Sequence, residues 1–268
     1  MIRLAVSDVD GTLVRKDKSL SPQVIAAVHR LRDAGVPFTL ISARPISGMM
    51  PLIAPLGIDI PLAAFNGGIV FRPDGAVLSA CHVDETVVRG VFAIVGDAPV
   101  DRWVFADGHW YATSDQGVHV EHERIASNQP PVLRDDFADL YGRIDKLTIV
   151  SDDAALLKGL ADKAKAAFGK QATIGQSQTY YLDVTGVTAN KGDGVAALAK
   201  MLGVDMADVA VFGDMENDVP MFDRAGFSVV MGQAPEAVKA KADETSSSNE
   251  EDGVAHAIDA FILPKVTS

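Results

Sequence analysis

The chain is short of several things that would assign its class at a glance. It has one cysteine, Cys81, in 268 residues, so no disulfide can close within it and nothing points to an oxidising compartment. That thiol has no activating pattern around it and reads as a small interior hydrophobe. No apolar run approaches the ~20 residues that a membrane span needs. The most apolar stretch, Leu52 to Phe65, is interrupted by Pro55, Gly57, Asp59 and Pro61. Basic residues are scarce: 24 Lys plus Arg stand against 36 Asp plus Glu, a formal net charge of −12. Such a surplus opposes binding to nucleic acid or to an anionic membrane. MIRLAVSDVDGTL meets two aspartates before a signal-peptide core can develop, and a soluble, cytoplasmic protein is expected. GxxxxGK and GxSxG do not occur, and Gly192-Asp193-Gly194 does not follow a strand as a dinucleotide fingerprint would. There is no internal repeat and no long linker.

What is present is a chain able to build a full core, 48% hydrophobic and 22% charged. In the first third, short continuous apolar runs alternate with helical patterns. Arg3 to Ser7 and Val36 to Ser42 read as buried strands, with a third at Pro61 to Phe65. Ser21-Pro22 reads as the capped start of an intervening helix that stops at Gly35. Continuous rather than alternating strands in a βαβαβ order predict a parallel sheet covered on both faces. The last third returns to this pattern, with a helix at Lys191 to Leu202, a strand at Val209 to Gly213, a helix near Asn217 to Ala225 and a strand at Phe227 to Met231. Between them the character changes. Both tryptophans and all four tyrosines lie between Trp103 and Tyr181. A hairpin signal at Arg72-Pro73-Asp74-Gly75 leads toward strand-like pieces at 103–106, 109–113, 146–150 and 180–184, with helices at 85–95 and 153–168. The expected fold class is α/β, a parallel-sheet core (residues 1–82 and 186–268) with an inserted α+β domain (83–185).

Two acidic turns carry the chemistry. Asp8-Val9-Asp10-Gly11-Thr12-Leu13 closes the first strand, and i, i+2 spacing in extended chain points Asp8 and Asp10 the same way. Gly213-Asp214-Met215-Glu216-Asn217-Asp218 closes another buried strand. Each alone reads equally as a turn or a helix cap. Together, at the carboxyl ends of parallel strands, they resemble an oxygen-rich cation site. Lys191 falls in the first turn of a helix, where it opposes the macrodipole and belongs only if an anion joins it. Ser42-Ala43-Arg44-Pro45, after the second strand, offers a hydroxyl and a guanidinium to a phosphate, or else a plain cap. Asn66-Gly67 reads equally as a turn or a substrate contact. His119 and His122 sit three apart without the HExxH order and read as solvated surface.

In order along the chain, DVDGTL, the hydroxyl of Ser42, Lys191-Gly192 and GDMEND resemble the four motifs of the haloacid dehalogenase (HAD) superfamily. The long insert between the second and third motifs resembles its Cof-type, class IIB branch. The similarity extends to FNGG at 65–68 and SNEEDGVA at 248–255. The chain departs from the pattern with Ser42 for the commoner Thr, Ala43 for Gly and Gln233 for Asn. The resemblance implies a HAD-like Rossmannoid core with a class IIB cap, and a phosphatase. It implies Asp8 as nucleophile and Asp10 as general acid/base, with Ser42 and Lys191 on the phosphoryl oxygens. Mg²⁺ would be held by Asp8, Asp214 and the Asp10 carbonyl, supported from the rim by Asn217 and Asp218, with Arg44, Asn66 and Asn217 near the substrate. Asp10 argues for a phosphohydrolase over a dehalogenase. The implied substrate is a small phosphorylated metabolite, a sugar phosphate first, with nucleotide and cofactor phosphates open. A phosphotransferase or mutase using the same intermediate, or a noncatalytic phosphometabolite-binding protein, is the alternative. Monomer and homodimer are equally compatible with the sequence.

Overall fold

The computed structural model describes residues 1–266, which group into two compact units. One comprises Met1–Ala43, Met49–Leu78 and the chain from Asn190 onward; the other comprises Arg44–Gly48 and Ser79–Ala189. Relative to the sequence expectation, the insert begins and ends a few residues further out. It also takes in Arg44–Gly48, including the first residues of the helix Ile46–Leu56.

The first unit is built on a five-stranded, all-parallel sheet in the order Glu244–Thr245, Phe227–Val230, Val209–Gly213, Leu4–Ser7, Phe38–Leu40. The three strands in the middle, LAVS, VAVFG and FSVV, are buried throughout apart from Phe227, as parallel strands covered on both faces must be. Leu4 registers with Val209 and Ser7 with Phe212, so the two acidic turns leave the sheet side by side at one edge. The helix Pro22–Asp33 starts as expected: Ser21 Oγ accepts from Val24 N at 3.1 Å, with proline at the first helical position. Val24, Ala27, Val28 and Leu31 form its buried stripe.

Two expectations are corrected here. The strand Leu62–Ala64 does not extend the parallel sheet as a full member. It touches the sheet through a single bridge, Ile41 to Ala63, and pairs antiparallel with Ile69–Phe71. The helix expected near Asn217 to Ala225 is a 3₁₀ turn, Glu216–Asp218, followed by the one-turn helix Val219–Phe222. The Asp218 side chain turns inward there and accepts from the amides of Asp214 and Met215 at 2.8 and 2.9 Å, which tightens the turn.

The inserted unit has a six-stranded sheet in the order Ala172–Gln178, Tyr181–Gly186, Ile144–Val150, Asp101–Ala106, His109–Ala112, Val132–Leu133, antiparallel except for the last pair. Helices Glu85–Val95 and Ala154–Phe168 contribute Val87, Val88, Val91, Leu157, Leu160 and Ala161 to its core. Trp103 and Trp110 pack edge to face with ring centres 5.0 Å apart. Cys81 is half-buried rather than an interior residue. His119 is mostly covered, its ring stacked on Tyr180 at 3.7 Å and its Nε2 2.7 Å from Asp152 Oδ1, so it is not the solvated residue expected. Among the described residues no helix is long and apolar enough to cross a membrane.

Candidate active site

The first unit gathers its charge where the two acidic turns meet. Asp8 follows the strand Leu4–Ser7 directly, and its amide continues the ladder by donating to Phe212 O at 2.9 Å. Its carboxylate is buried, with Oδ1 2.6 Å from Lys191 Nζ. Lys191 opens the helix Lys191–Leu202 behind its cap Asn190, and is 1% exposed. Its ammonium also reaches Asp218 Oδ1 at 2.5 Å, so the misplaced cation of the first helical turn is joined by two anions. Asp214 ends the Val209–Gly213 strand and accepts from Thr12 Oγ1 at 3.0 Å.

Two glycines make the packing possible. Gly11 sits at φ +80°, and a Cβ there would lie 2.3 Å from Asp214 Oδ2. At Gly213 a Cβ would come within 2.5 Å of the Asp218 carboxyl carbon. The glycines of DxDG and GDxxND are therefore what lets backbone and carboxylate approach.

Asp8, Asp214 and Asp218 offer carboxylate oxygens all within 4.8 Å of one another, a spacing that a hard divalent cation can span. Asp218 is the weakest donor of the three, because Lys191 takes one of its oxygens and two backbone amides take the other. Three buried carboxylates against one ammonium leave excess negative charge. Burial pushes the Asp8 carboxyl well above the usual carboxylate range, against the pull of Lys191, with Asp218 and Asp214 raising it further. Burial, then the Asp218 charge, pushes Asp214 up to about 6. For Lys191 burial works against the charge, yet Asp218 and Asp8 prevail and hold it above the ordinary lysine range. This is the electrostatic condition that an added cation relieves.

The other residues singled out from sequence take varied places. Asp10 is not part of the buried carboxylate group: its half-exposed side chain lies 2.6 Å from Lys18 Nζ. Ser42 is buried, with its carbonyl accepting from Asn66 N at 2.7 Å. Asn66 holds a left-handed φ of 56°, and its Oδ1 accepts from Asn217 Nδ2 at 3.4 Å, so FNGG and GDMEND meet. Arg44 groups with the inserted unit, where it is buried and donates to Gly48 O at 3.0 Å.

Sequence reasoning passed over three participants. Thr12 lies inside the first motif but was given no task. Gln233 entered only as a departure from pattern; its Nε2 donates to Gly11 O at 2.5 Å and approaches Asp214 Oδ2 at 3.5 Å, while its Oε1 accepts from Asn249 N at 3.1 Å. Lys18, in a polar turn, carried no signal.

The carboxylate–lysine cluster lies at the carboxyl ends of parallel strands, where open α/β sheets bind their ligands. A family model described as haloacid dehalogenase-like hydrolase matches residues 5–258, and the chain belongs to that family. The HMP-PP phosphatase of Cronobacter sakazakii is 30% identical, over 87% of this chain and 85% of the relative. Among solved structures, a haloacid dehalogenase-like hydrolase from Bacteroides thetaiotaomicron superposes with a TM-score of 0.87 at 25% identity, covering 97% of this chain and 99% of that one. A HAD subclass IIB sugar phosphatase superposes with a TM-score of 0.83 at 21% identity, covering 99% and 100%, a likeness of fold.

Proposed function

We propose that this protein is a cytoplasmic, Mg²⁺-dependent phosphatase of a small phosphorylated metabolite, acting through an aspartyl-phosphate formed on Asp8. The observation that carries the reading is the buried Asp8–Lys191–Asp218 chain beside Asp214, with contacts of 2.6 and 2.5 Å. A nucleophilic carboxylate splits a hard displacement into two easier ones. One Asp8 oxygen attacks phosphorus and the ester P–O bond breaks. Asp10 gives the departing oxygen its proton, and then, as carboxylate, takes one from the water that attacks the phosphorus of the acyl phosphate. That second attack releases phosphate and returns Asp8. Lys191 holds positive charge against the phosphoryl oxygens throughout, and Asp218 holds Lys191. Ser42 supplies a hydroxyl to the phosphoryl group, and Asn66 and Asn217 stand at the substrate side. Asp8 and Asp214, with the Asp10 carbonyl, are the groups that would hold Mg²⁺. When bound, the ion offsets the repulsion between carboxylate and phosphate and polarises the phosphoryl oxygens.

The names of the relatives support a small phosphorylated substrate, HMP-PP in one case and a sugar phosphate in another. Sugar phosphates are the first class to assay. The test is hydrolysis of p-nitrophenyl phosphate and a sugar-phosphate panel with Mg²⁺, with EDTA, and by Asp8→Asn purified alongside. Activity lost in both controls is the expected result. Full activity in Asp8→Asn would sink the mechanism. A folded wild type inert toward every ester would favour a binding protein instead.

A further inference from the structure

The SNEEDGVA stretch was singled out in sequence, yet no step of the proposed chemistry uses it. In the structure it pins one loop. Asn249 Nδ2 donates to Val14 O at 2.9 Å, Glu250 Oε1 accepts from Lys16 N at 2.7 Å, and Asp252 pairs with Arg15 at 3.0 Å. Inside the loop, Arg15 N donates to Ser19 O at 3.0 Å and Lys18 N to Arg15 O at 2.9 Å. Asp17 Oδ1 accepts from both the amide and the hydroxyl of Ser19. The loop is therefore held from outside and from within.

What it presents is Lys18. This residue adopts φ +68°, a left-handed conformation that a side chain resists and a glycine accepts freely. A lysine kept there against local preference points to a task for its side chain, and its Nζ lies 2.6 Å from Asp10 Oδ1. Asp10 is about one-third exposed, at 35%, and Lys18 less so, at 22%. A charge-assisted hydrogen bond of this length holds the Asp10 carboxylate in one orientation.

We infer that Lys18 is a positioning residue: anchored by the 249–252 segment, it aims the Asp10 carboxyl at the leaving-group oxygen. The inference rests on the phosphatase reading above. Poor aim costs most where the leaving group most needs a proton, so the effect scales with the ester. The experiment compares kcat/KM on phenyl phosphate and on p-nitrophenyl phosphate, whose phenolate leaves more readily, for wild type, Lys18→Met, Lys18→Gly, Lys18→Arg and Asp10→Asn. Lys18→Met is expected to lose about tenfold on phenyl phosphate and less than about threefold on p-nitrophenyl phosphate. Lys18→Arg is expected to recover most of the loss. Lys18→Gly is expected to lose activity like the methionine variant while its thermal midpoint holds or rises, since the backbone strain is relieved. A purely structural role would move midpoint and activity together. Equal losses on the two esters, or wild-type rates in Lys18→Met, would overturn the inference and leave the phosphatase reading standing. An Asp10→Asn as fast as wild type on phenyl phosphate would overturn the inference together with the acid/base role of Asp10, and a folded wild type inert toward these esters and the whole sugar-phosphate panel would overturn the phosphatase reading as well.

Discussion

Both units bury charge, but they neutralise it differently. In the inserted unit the buried polar and charged side chains of one strand have local partners. Asp145 sits 2.9 Å from His82 Nδ1, the Lys146 ammonium lies 4.5 Å from the centre of the Phe105 ring, and Thr148 donates to Asp183 at 2.7 Å. All three belong to one strand, Ile144–Val150, buried along its whole length. In the first unit the balance is left incomplete: Asp8, Asp214 and Asp218 share one lysine at the sheet edge. A structural ion pair is closed within itself, whereas a site built for an anionic substrate and a cation keeps an imbalance that its ligands complete. The difference sets the first unit's cluster apart as the candidate site, without reference to motif.

The sharpest way to break this comparison is Lys191→Met. Removing the only ammonium among three buried carboxylates is expected to lower turnover by about 10²–10³ or more, and to cost about 3–5 kcal/mol in urea unfolding. An active, stable Lys191→Met would show that the cluster is not organised by charge. Leu147→Ala, in the centre of the inserted core and fully buried, is expected to cost a similar 2–5 kcal/mol, roughly, through the cavity it leaves. At a temperature where the variant stays folded, kcat on p-nitrophenyl phosphate should be little changed, so stability and chemistry separate between the units.

The smallest effect concerns Asp145, whose carboxyl burial pushes up to about 6 against the opposing pull of His82. Against an unfolded value of about 3.9, the native state holds the extra proton between the two. Stability from this group is therefore full below about pH 4 and is lost as pH rises through about 6. Asp145→Asn should flatten that slope, gaining on wild type by at most about 3 kcal/mol at pH 7 and nothing near pH 4. Parallel urea midpoints across this range decide it; a gain that is independent of pH would count against the assignment.

How much of this was legible beforehand depended on whether a feature was local. Strands such as LAVS and VAVFG announced themselves as unbroken apolar runs. Lys191 stood out because it contradicts the dipole of its own helix, and the two anions that explain it were already suspected. The Val120–Ser127 helix escaped notice because VEHERIAS has little apolar periodicity, and the strand Ala172–Gln178, ATIGQSQ, is too polar to read as one. From sequence Asp218 reads as helix-opening, whereas its side chain accepts from the amides of Asp214 and Met215 and closes a 3₁₀ turn. Gln233 and the anchoring of the Lys18 loop by the 249–252 segment depend on partners far along the chain, and no local pattern encodes those.

The pairing of Leu4–Ser7 with Val209–Gly213, and of Asp8 with Lys191, also sets a timetable for synthesis. At ~5–20 residues per second, the first strand waits roughly 10–40 s after translation before its Val209–Gly213 neighbour exists, although Phe38–Leu40 on its other side is made early. The insert, contiguous from Ser79 to Ala189 apart from the short Arg44–Gly48 piece, has nearly all of its sequence before the second half of that cluster is made. Asp8 is among the first residues translated and among the last to be placed, so a nascent chain stalled before Lys191 would carry it as an ordinary solvated carboxylate.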